Sequence, residues 1–121
     1  MTEYRNTKRY DLEDRTLAFA RRSREFVAKL KKTIANIEDG KQLVRASGSV
    51  GANYIEANEA LSKKDFVMRI KICRKEAKEV RYWLRLIDVN EDLQDSRIRD
   101  ELIQEATELM NIFGAILQKS K

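Results

Sequence analysis

An unbroken heptad pattern of apolar residues runs from position 66 to position 87. Its members recur at alternating steps of four and three residues: Phe66, Ile70, Cys73, Ala77, Val80, Leu84 and Ile87. This spacing keeps one face of an α-helix directed at a core along its whole length. The pattern therefore predicts a long amphipathic helix that continues to about Val89.

The two flanks of this predicted helix differ in chemistry. At about 100° of rotation per residue, one flank carries a line of cations: Arg74, Lys78, Arg81 and Arg85. The other flank carries apolar side chains: Met68, Ile72, Trp83 and Leu86. A monomeric bundle needs only the core face, and large exposed apolar patches are uncommon on monomers. The apolar flank therefore predicts an oligomer interface, and the basic flank predicts an anionic partner.

Apolar periodicity predicts three further helices with short connections. They run over about 12–34, 41–61 and 96–118, with a turn at 36–40 after the first. Asp11 is the expected cap of the first helix, and Asp95 or Ser96 that of the last. Ser62 to Asp65 resembles a capping box that starts the heptad helix, with Asp in place of the usual Glu. We predict an all-α fold with one helical domain over 11–121 and a flexible N-terminal arm over 1–10.

The composition supports this fold class and excludes much chemistry. Proline is absent and there are only four glycines, so strand and hairpin signals are missing. Histidine is also absent, which excludes a Ser-His-Asp triad and a Cys-His pair. We predict no catalytic residue, no cofactor and no metal. The chain has no long apolar run and a single cysteine, so we predict no membrane contact and a reducing, cytoplasmic location.

A few polar residues allow a functional and a structural interpretation. Asn53 and Glu56 share a face of the second helix, and Glu76 and Glu79 share a face of the third. They could gather around a metal or pair with the cations Arg45, Arg69 or Lys75. Structural pairing is favoured because buried polar groups usually have such partners. Cys73 lies on the core stripe, which favours a buried small hydrophobe over a reactive thiolate.

The second helix contains a run of small residues, from Ala46 to Ala52. Each glycine within it costs roughly 1 kcal/mol relative to alanine, so something must offset that cost. Close approach of a neighbouring helix is one explanation, and close approach of a ligand is the other. Packing is favoured because the spacing of a phosphate-binding loop is absent.

Three blocks of sequence carry a resemblance to a known family. They are RASGSVGANYIEA at 45–57, KDF at 64–66, and ICRKEAKE with YWL within 72–84. These blocks closely resemble the bacterial four helix bundle protein family, whose founding members are encoded by intervening sequences in large-subunit ribosomal RNA genes. The resemblance extends from about Tyr10 to Phe113. It implies an antiparallel up-down four-helix bundle, usually a ring-shaped homopentamer, with no known enzymatic activity.

A related branch of the family is similar in size, charge and fold. This branch is the accessory variability protein of diversity-generating retroelements, a basic pentamer that binds its reverse transcriptase and template RNA. The segment VRYWLRL at 80–86 is similar to the matching stretch of that branch. The resemblance therefore adds RNA and a reverse transcriptase to the expected partners.

The net charge of +5 permits binding to nucleic acid, although a solvated basic surface explains it equally well. A second basic cluster lies on the first helix, where Arg21 and Arg24 could assist the basic flank of the third. No base-reading motif is present, so binding would be indifferent to sequence. We predict a non-catalytic homo-oligomer that associates with RNA or DNA or serves as a reverse-transcriptase adaptor. The alternative is a protein-only interaction scaffold.

Overall fold

The protein consists of four long helices. The computed structural model describes the backbone of residues 2–121 and the side chains of residues 12–121. Within those residues it contains α1 (Thr2–Lys29), α2 (Ile34–Asn58), α3 (Lys63–Leu86) and α4 (Leu93–Lys119), and no strand. The all-α prediction is confirmed. The flexible arm predicted for residues 1–10 lies outside the residues that are described in full.

The helices form a bundle in which each packs against two neighbours. In the described part of the chain, α1 contacts α2 and α4, and α3 contacts α2 and α4, while no contact joins the diagonal pairs. Arg15 pairs with Glu105, and Arg22 further along α1 pairs with Glu101 earlier in α4. Hydrogen bonds from α2 show the same reversed order: Asn53 bonds with Arg69 early in α3, and Asn36 bonds with Asp88 just after α3 ends. We infer an up-down arrangement with antiparallel neighbours.

The heptad stripe of α3 forms the centre of the core, as predicted. Its positions from Ile70 to Ile87 are all buried, and Phe66 is half-buried at the start. The other helices contribute large side chains with almost no exposure: Phe19, Phe26, Leu43, Val50, Leu102, Leu109 and Phe113. Each such burial stabilises the fold by about 1.5–3 kcal/mol. None of the helices in residues 2–121 is long and apolar enough to cross a bilayer.

The predicted helix ends are partly right. Asp11 is not the cap of the first helix, because α1 begins at Thr2, and α1 ends at Lys29 rather than near residue 34. Ser62 caps α3 as expected, because its hydroxyl accepts a hydrogen bond from the Asp65 backbone N–H at 3.0 Å. The cap of α4 is Asp92, three residues before the predicted Asp95, whose own N–H donates to the Asp92 carboxylate at 2.9 Å. The residues between α3 and α4 turn through the left-handed region, with φ of 54° at Asn90 and 62° at Glu91.

The turn predicted at 36–40 is wrong, because these residues lie inside α2. Thr33 caps that helix by accepting a hydrogen bond from the Asn36 backbone N–H at 3.1 Å. The Asn36 amide then donates to the carbonyl oxygens of Lys31 and Asp88. Gly40 is not a helix breaker: a Cβ there would lie 2.9 Å from a methyl group of Val27. The missing side chain lets α1 and α2 approach closely.

Candidate nucleic-acid interface

The solvent-facing side of α3 carries a second heptad pattern, which is almost entirely basic. Its members recur at steps of four and three and are all exposed: Lys71, Lys75, Lys78, Tyr82 and Arg85. We call this set the outer stripe. At 1.5 Å per residue it extends for about 21 Å along the helix. The core face of α3 lies on the opposite side, so every member is exposed to solvent.

The four cations predicted on the basic flank occupy different environments. Arg74, Lys78 and Arg85 are exposed. Arg81 is half-buried, and its Nη1 lies 3.3 Å from the Met110 sulfur on α4. The Arg81 Nε is buried without a hydrogen-bond partner in the described residues. Three of the four cations can therefore meet a ligand, while Arg81 packs between α3 and α4.

A shallow groove between α3 and α4 gathers four of the exposed cations. It has a volume of about 400 Å³ and is lined by Lys71, Arg74, Lys75, Lys78, Met110 and Leu117. Lys71 and Lys75 are not among the predicted binding residues, because that prediction followed only the edge of α3 through Arg74 and Lys78. The second heptad pattern was the signal that could have found them.

The cations of the outer stripe and Arg74 have no acidic partner among the side chains of residues 12–121. Among residues 12–121, the cations with a carboxylate oxygen within 4.0 Å are Arg15, Arg22, Lys41, Arg45 and Arg69. Lys71 with Lys75, and Arg74 with Lys78, are like-charged pairs four residues apart. Each such pair destabilises a helix by roughly 0.2–0.5 kcal/mol. A bound polyanion would remove that repulsion.

Arg21 and Arg24, which were predicted to assist nucleic-acid binding by α3, lie on a different surface of the bundle. Both are exposed on α1, which is diagonal to α3 and does not contact it in the described residues. The Arg24 guanidinium lies over Gly48, where a Cβ would stand 3.1 Å from Nη2. One chain therefore does not bring Arg21 and Arg24 together with the outer stripe.

The predicted oligomer interface is an apolar strip beside the outer stripe. Met68 and Leu86 are 47% and 49% exposed, while Ile72 and Trp83 are half-buried. Tyr82, which the sequence analysis did not assign to either surface, is 57% exposed. Its ring packs nearly perpendicular to that of Trp83, with centroids 5.1 Å apart. The strip thus presents two large aliphatic side chains to solvent.

The polar residues between α2 and α3 pair with one another. Arg45 Nη2 lies 3.5 Å from a Glu76 oxygen and 3.2 Å from a Glu79 oxygen. Asn53 accepts a hydrogen bond from Arg69 at 3.1 Å. Structural pairing is therefore confirmed for Asn53, Glu76 and Glu79, although Glu56 is exposed and has no such contact among the described residues. No group of acidic or cysteine side chains suited to a metal occurs within the described residues.

The run of small residues in α2 serves helix packing, as the sequence favoured. A Cβ on Gly51 would lie 2.9 Å from the hydroxyl oxygen of Thr16. Thr16 is buried on α1 and donates its hydroxyl to the Leu12 carbonyl at 2.8 Å. Any side chain at position 51 would therefore push α1 away from α2.

Cys73 is fully buried, so its predicted position in the core is confirmed. Burial raises the pKa of the Cys73 thiol to about 12. We expect iodoacetamide at pH 8 to modify the native protein far more slowly than the protein in urea, because an unfolded thiol ionises near pH 8.5. Mass spectrometry of both samples over time would measure this, and equal rates would show that Cys73 is accessible.

The comparisons with known proteins agree with the fold. A family model described as 23S rRNA-intervening sequence protein matches residues 9–115, a range that reaches all four helices. A crystal structure from Bacteroides thetaiotaomicron, described as a protein with unknown function from the S23 ribosomal protein family, is also similar. It is 29% identical, covers 92% of this chain and 98% of its own, and has a TM-score of 0.76. No curated protein matched the chain.

Proposed function

Because the chain belongs to the 23S rRNA-intervening sequence protein family, we propose that it is a non-catalytic homo-oligomer that binds RNA or DNA without reading base sequence. The observation that carries this proposal is the exposed basic surface of α3. Five cations lie there without a carboxylate partner in the described residues: Lys71, Arg74, Lys75, Lys78 and Arg85. Long, flexible cations in a row suit phosphate groups, whose contacts position a protein but carry no sequence information.

The oligomer in this proposal is a ring of five copies. The number five is what the family resemblance implies, and the partly exposed apolar strip of Met68, Ile72, Trp83 and Leu86 supports a contact between copies. A head-to-tail contact leaves no open ends where the rotation between successive copies closes a ring. A ring also repeats the basic surface of α3 around one assembly, so the electrostatic attraction of one chain, with its net charge of +5, accumulates.

A protein partner that itself handles nucleic acid fits the same proposal. The resemblance to the retroelement accessory protein supports a reverse transcriptase in that role, with the ring holding the template near it. A reverse-transcriptase gene beside the gene for this chain would favour that partner. The protein-only scaffold is the competing function, and it requires that the basic surface bind no nucleic acid.

We expect a variant with Lys71, Arg74, Lys78 and Arg85 changed to Gln to lose about tenfold or more of its affinity for a structured RNA and for duplex DNA at low salt. All four side chains are exposed, so the helical content should be unchanged. Fluorescence anisotropy of labelled nucleic acids would measure the binding.

The matched control removes the same charge from other surfaces. Its four exposed cations, Lys29, Lys31, Lys32 and Arg97, would be changed to Gln. If both variants lose affinity equally, net charge rather than the α3 surface drives binding. If the wild type binds neither nucleic acid at low salt, the scaffold function replaces the proposal.

A further inference from the structure

One aromatic ring interrupts the basic outer stripe. Tyr82 follows Lys78 by four residues and precedes Arg85 by three, so the ring stands between two cations on the same face. It is 57% exposed, whereas other aromatic residues of the chain such as Phe19, Phe26 and Phe113 are buried in the core. More than half of the Tyr82 surface is therefore available to a ligand.

The Tyr82 ring is held in place and still open to solvent. Its contact with Trp83 is nearly perpendicular, with an interplanar angle of 77° and a centroid distance of 5.1 Å. Such edge-to-face pairs contribute about 0.5–1.5 kcal/mol beyond the area they bury. A ring with only two side-chain torsions, restrained by a neighbour, loses little further entropy when a ligand stacks on it.

Cations alternating with an aromatic ring form a surface suited to single-stranded nucleic acid. Cations track the phosphates, and an aromatic face accepts an unpaired base of any identity. The bases of a duplex are stacked on each other and are not offered to such a ring. We infer that the outer stripe binds single-stranded RNA or DNA, with one base stacked on Tyr82 and flanking phosphates on Lys78 and Arg85. This inference rests on the proposed function and specifies its ligand.

Tyr82 also borders the apolar strip, so a second copy of the chain is the competing occupant. The charges favour nucleic acid, because Lys75, Lys78 and Arg85 share the exposed helix face of Tyr82 and have no carboxylate partner in the described residues. A partner chain covering Tyr82 would have to bury or neutralise these cations, whereas a polyanion is complementary to them. The Tyr82 side chain continues the line of cations at steps of four and three residues. This continuity favours nucleic acid over a second copy of the chain as the occupant.

The test compares Tyr82→Ala and Tyr82→Phe in the full-length protein, with short oligouridine and a blunt-ended RNA duplex as probes. Stacking of one base contributes about 1–3 kcal/mol. Tyr82→Ala should therefore weaken oligouridine binding by about 5- to 150-fold, leave duplex binding unchanged and leave the salt dependence unchanged. Tyr82→Phe keeps the stacking face and should bind like the wild type. Lys78→Gln should instead weaken the binding of both probes and make both affinities less dependent on salt.

Trp83 provides a second readout, because it is the only tryptophan of the chain. Oligouridine should quench its fluorescence in the wild type and much less in Tyr82→Ala. If both probes bind and Tyr82→Ala weakens neither, this inference fails while the proposed function stands. A lower oligomer mass of Tyr82→Ala in light scattering would assign Tyr82 to the interface and also overturn the inference. If the wild type binds neither probe, both proposals fail.

Discussion

Changing Ala77 to Asp should destabilise the protein enough to leave much of it unfolded. Ala77 lies in the middle of the α3 core face and has no solvent exposure. A carboxylate there would be buried without a cation among its core neighbours, Cys73 and Val80 on the same face included. An uncompensated buried charge costs about 3–5 kcal/mol, against a total stability of about 5–15 kcal/mol for a typical domain. Urea unfolding followed by far-ultraviolet circular dichroism would measure the loss.

The matched control for this substitution is Ala18→Asp, which places the same side chain on an exposed position of α1. It should cost less than about 1 kcal/mol, mainly through the lower helix propensity of Asp. If the two variants lose equal stability, position 77 is not in the core and the assignment of the α3 core face is wrong.

If the proposed ring forms through the apolar strip, changing both Met68 and Leu86 to Glu should convert it into single chains of 14.2 kDa. Both side chains are about half exposed in one chain, so their replacement should leave the helical bundle intact. In the proposed ring, the two new carboxylates would be buried in the apolar contact between neighbouring copies. Burial of an unpaired charge is strongly unfavourable. Light scattering coupled to size-exclusion chromatography would report the mass of each species at micromolar concentration.

The control for the interface is Leu93→Glu, at a leucine that is 82% exposed at the start of α4. Its mass should equal that of the wild type. A wild-type mass of one chain would refute the oligomer, and a mass of two or four chains would refute only the number five. Dissociation by Leu93→Glu but not by the double variant would place the interface on α4.

The fold follows from the sequence wherever one residue pattern dominates. The α3 stripe was predictable because seven consecutive heptad positions are apolar, and only a helix buries them on one face. The Ser62 cap was predictable because a hydroxyl before a polar first turn satisfies free backbone N–H groups. The sequence predicted that Glu76 and Glu79 would pair with Arg45, Arg69 or Lys75, and the structure places Arg45 beside both.

The remaining features depend on tertiary packing that local patterns do not encode. Gly40 resembles a turn residue in the sequence, yet it is a contact position whose missing side chain makes room for Val27. Arg81 shares a line with Arg74 and Lys78, but the position of Met110 on α4 draws its guanidinium inward. The exposure of Tyr82 was not predicted, because the sequence alone does not show how much of a ring beside Trp83 other helices cover.

The most direct test of the central claim, that the cations of α3 bind phosphate groups, is a salt titration of duplex DNA binding. For the wild type, the logarithm of the binding constant should fall linearly with the logarithm of salt concentration. The variant with Lys71, Arg74, Lys78 and Arg85 changed to Gln should show a slope smaller in magnitude by about 3.6, at roughly 0.9 for each phosphate contact removed. Equal slopes for the two proteins, or no binding by the wild type at low salt, would contradict the claim.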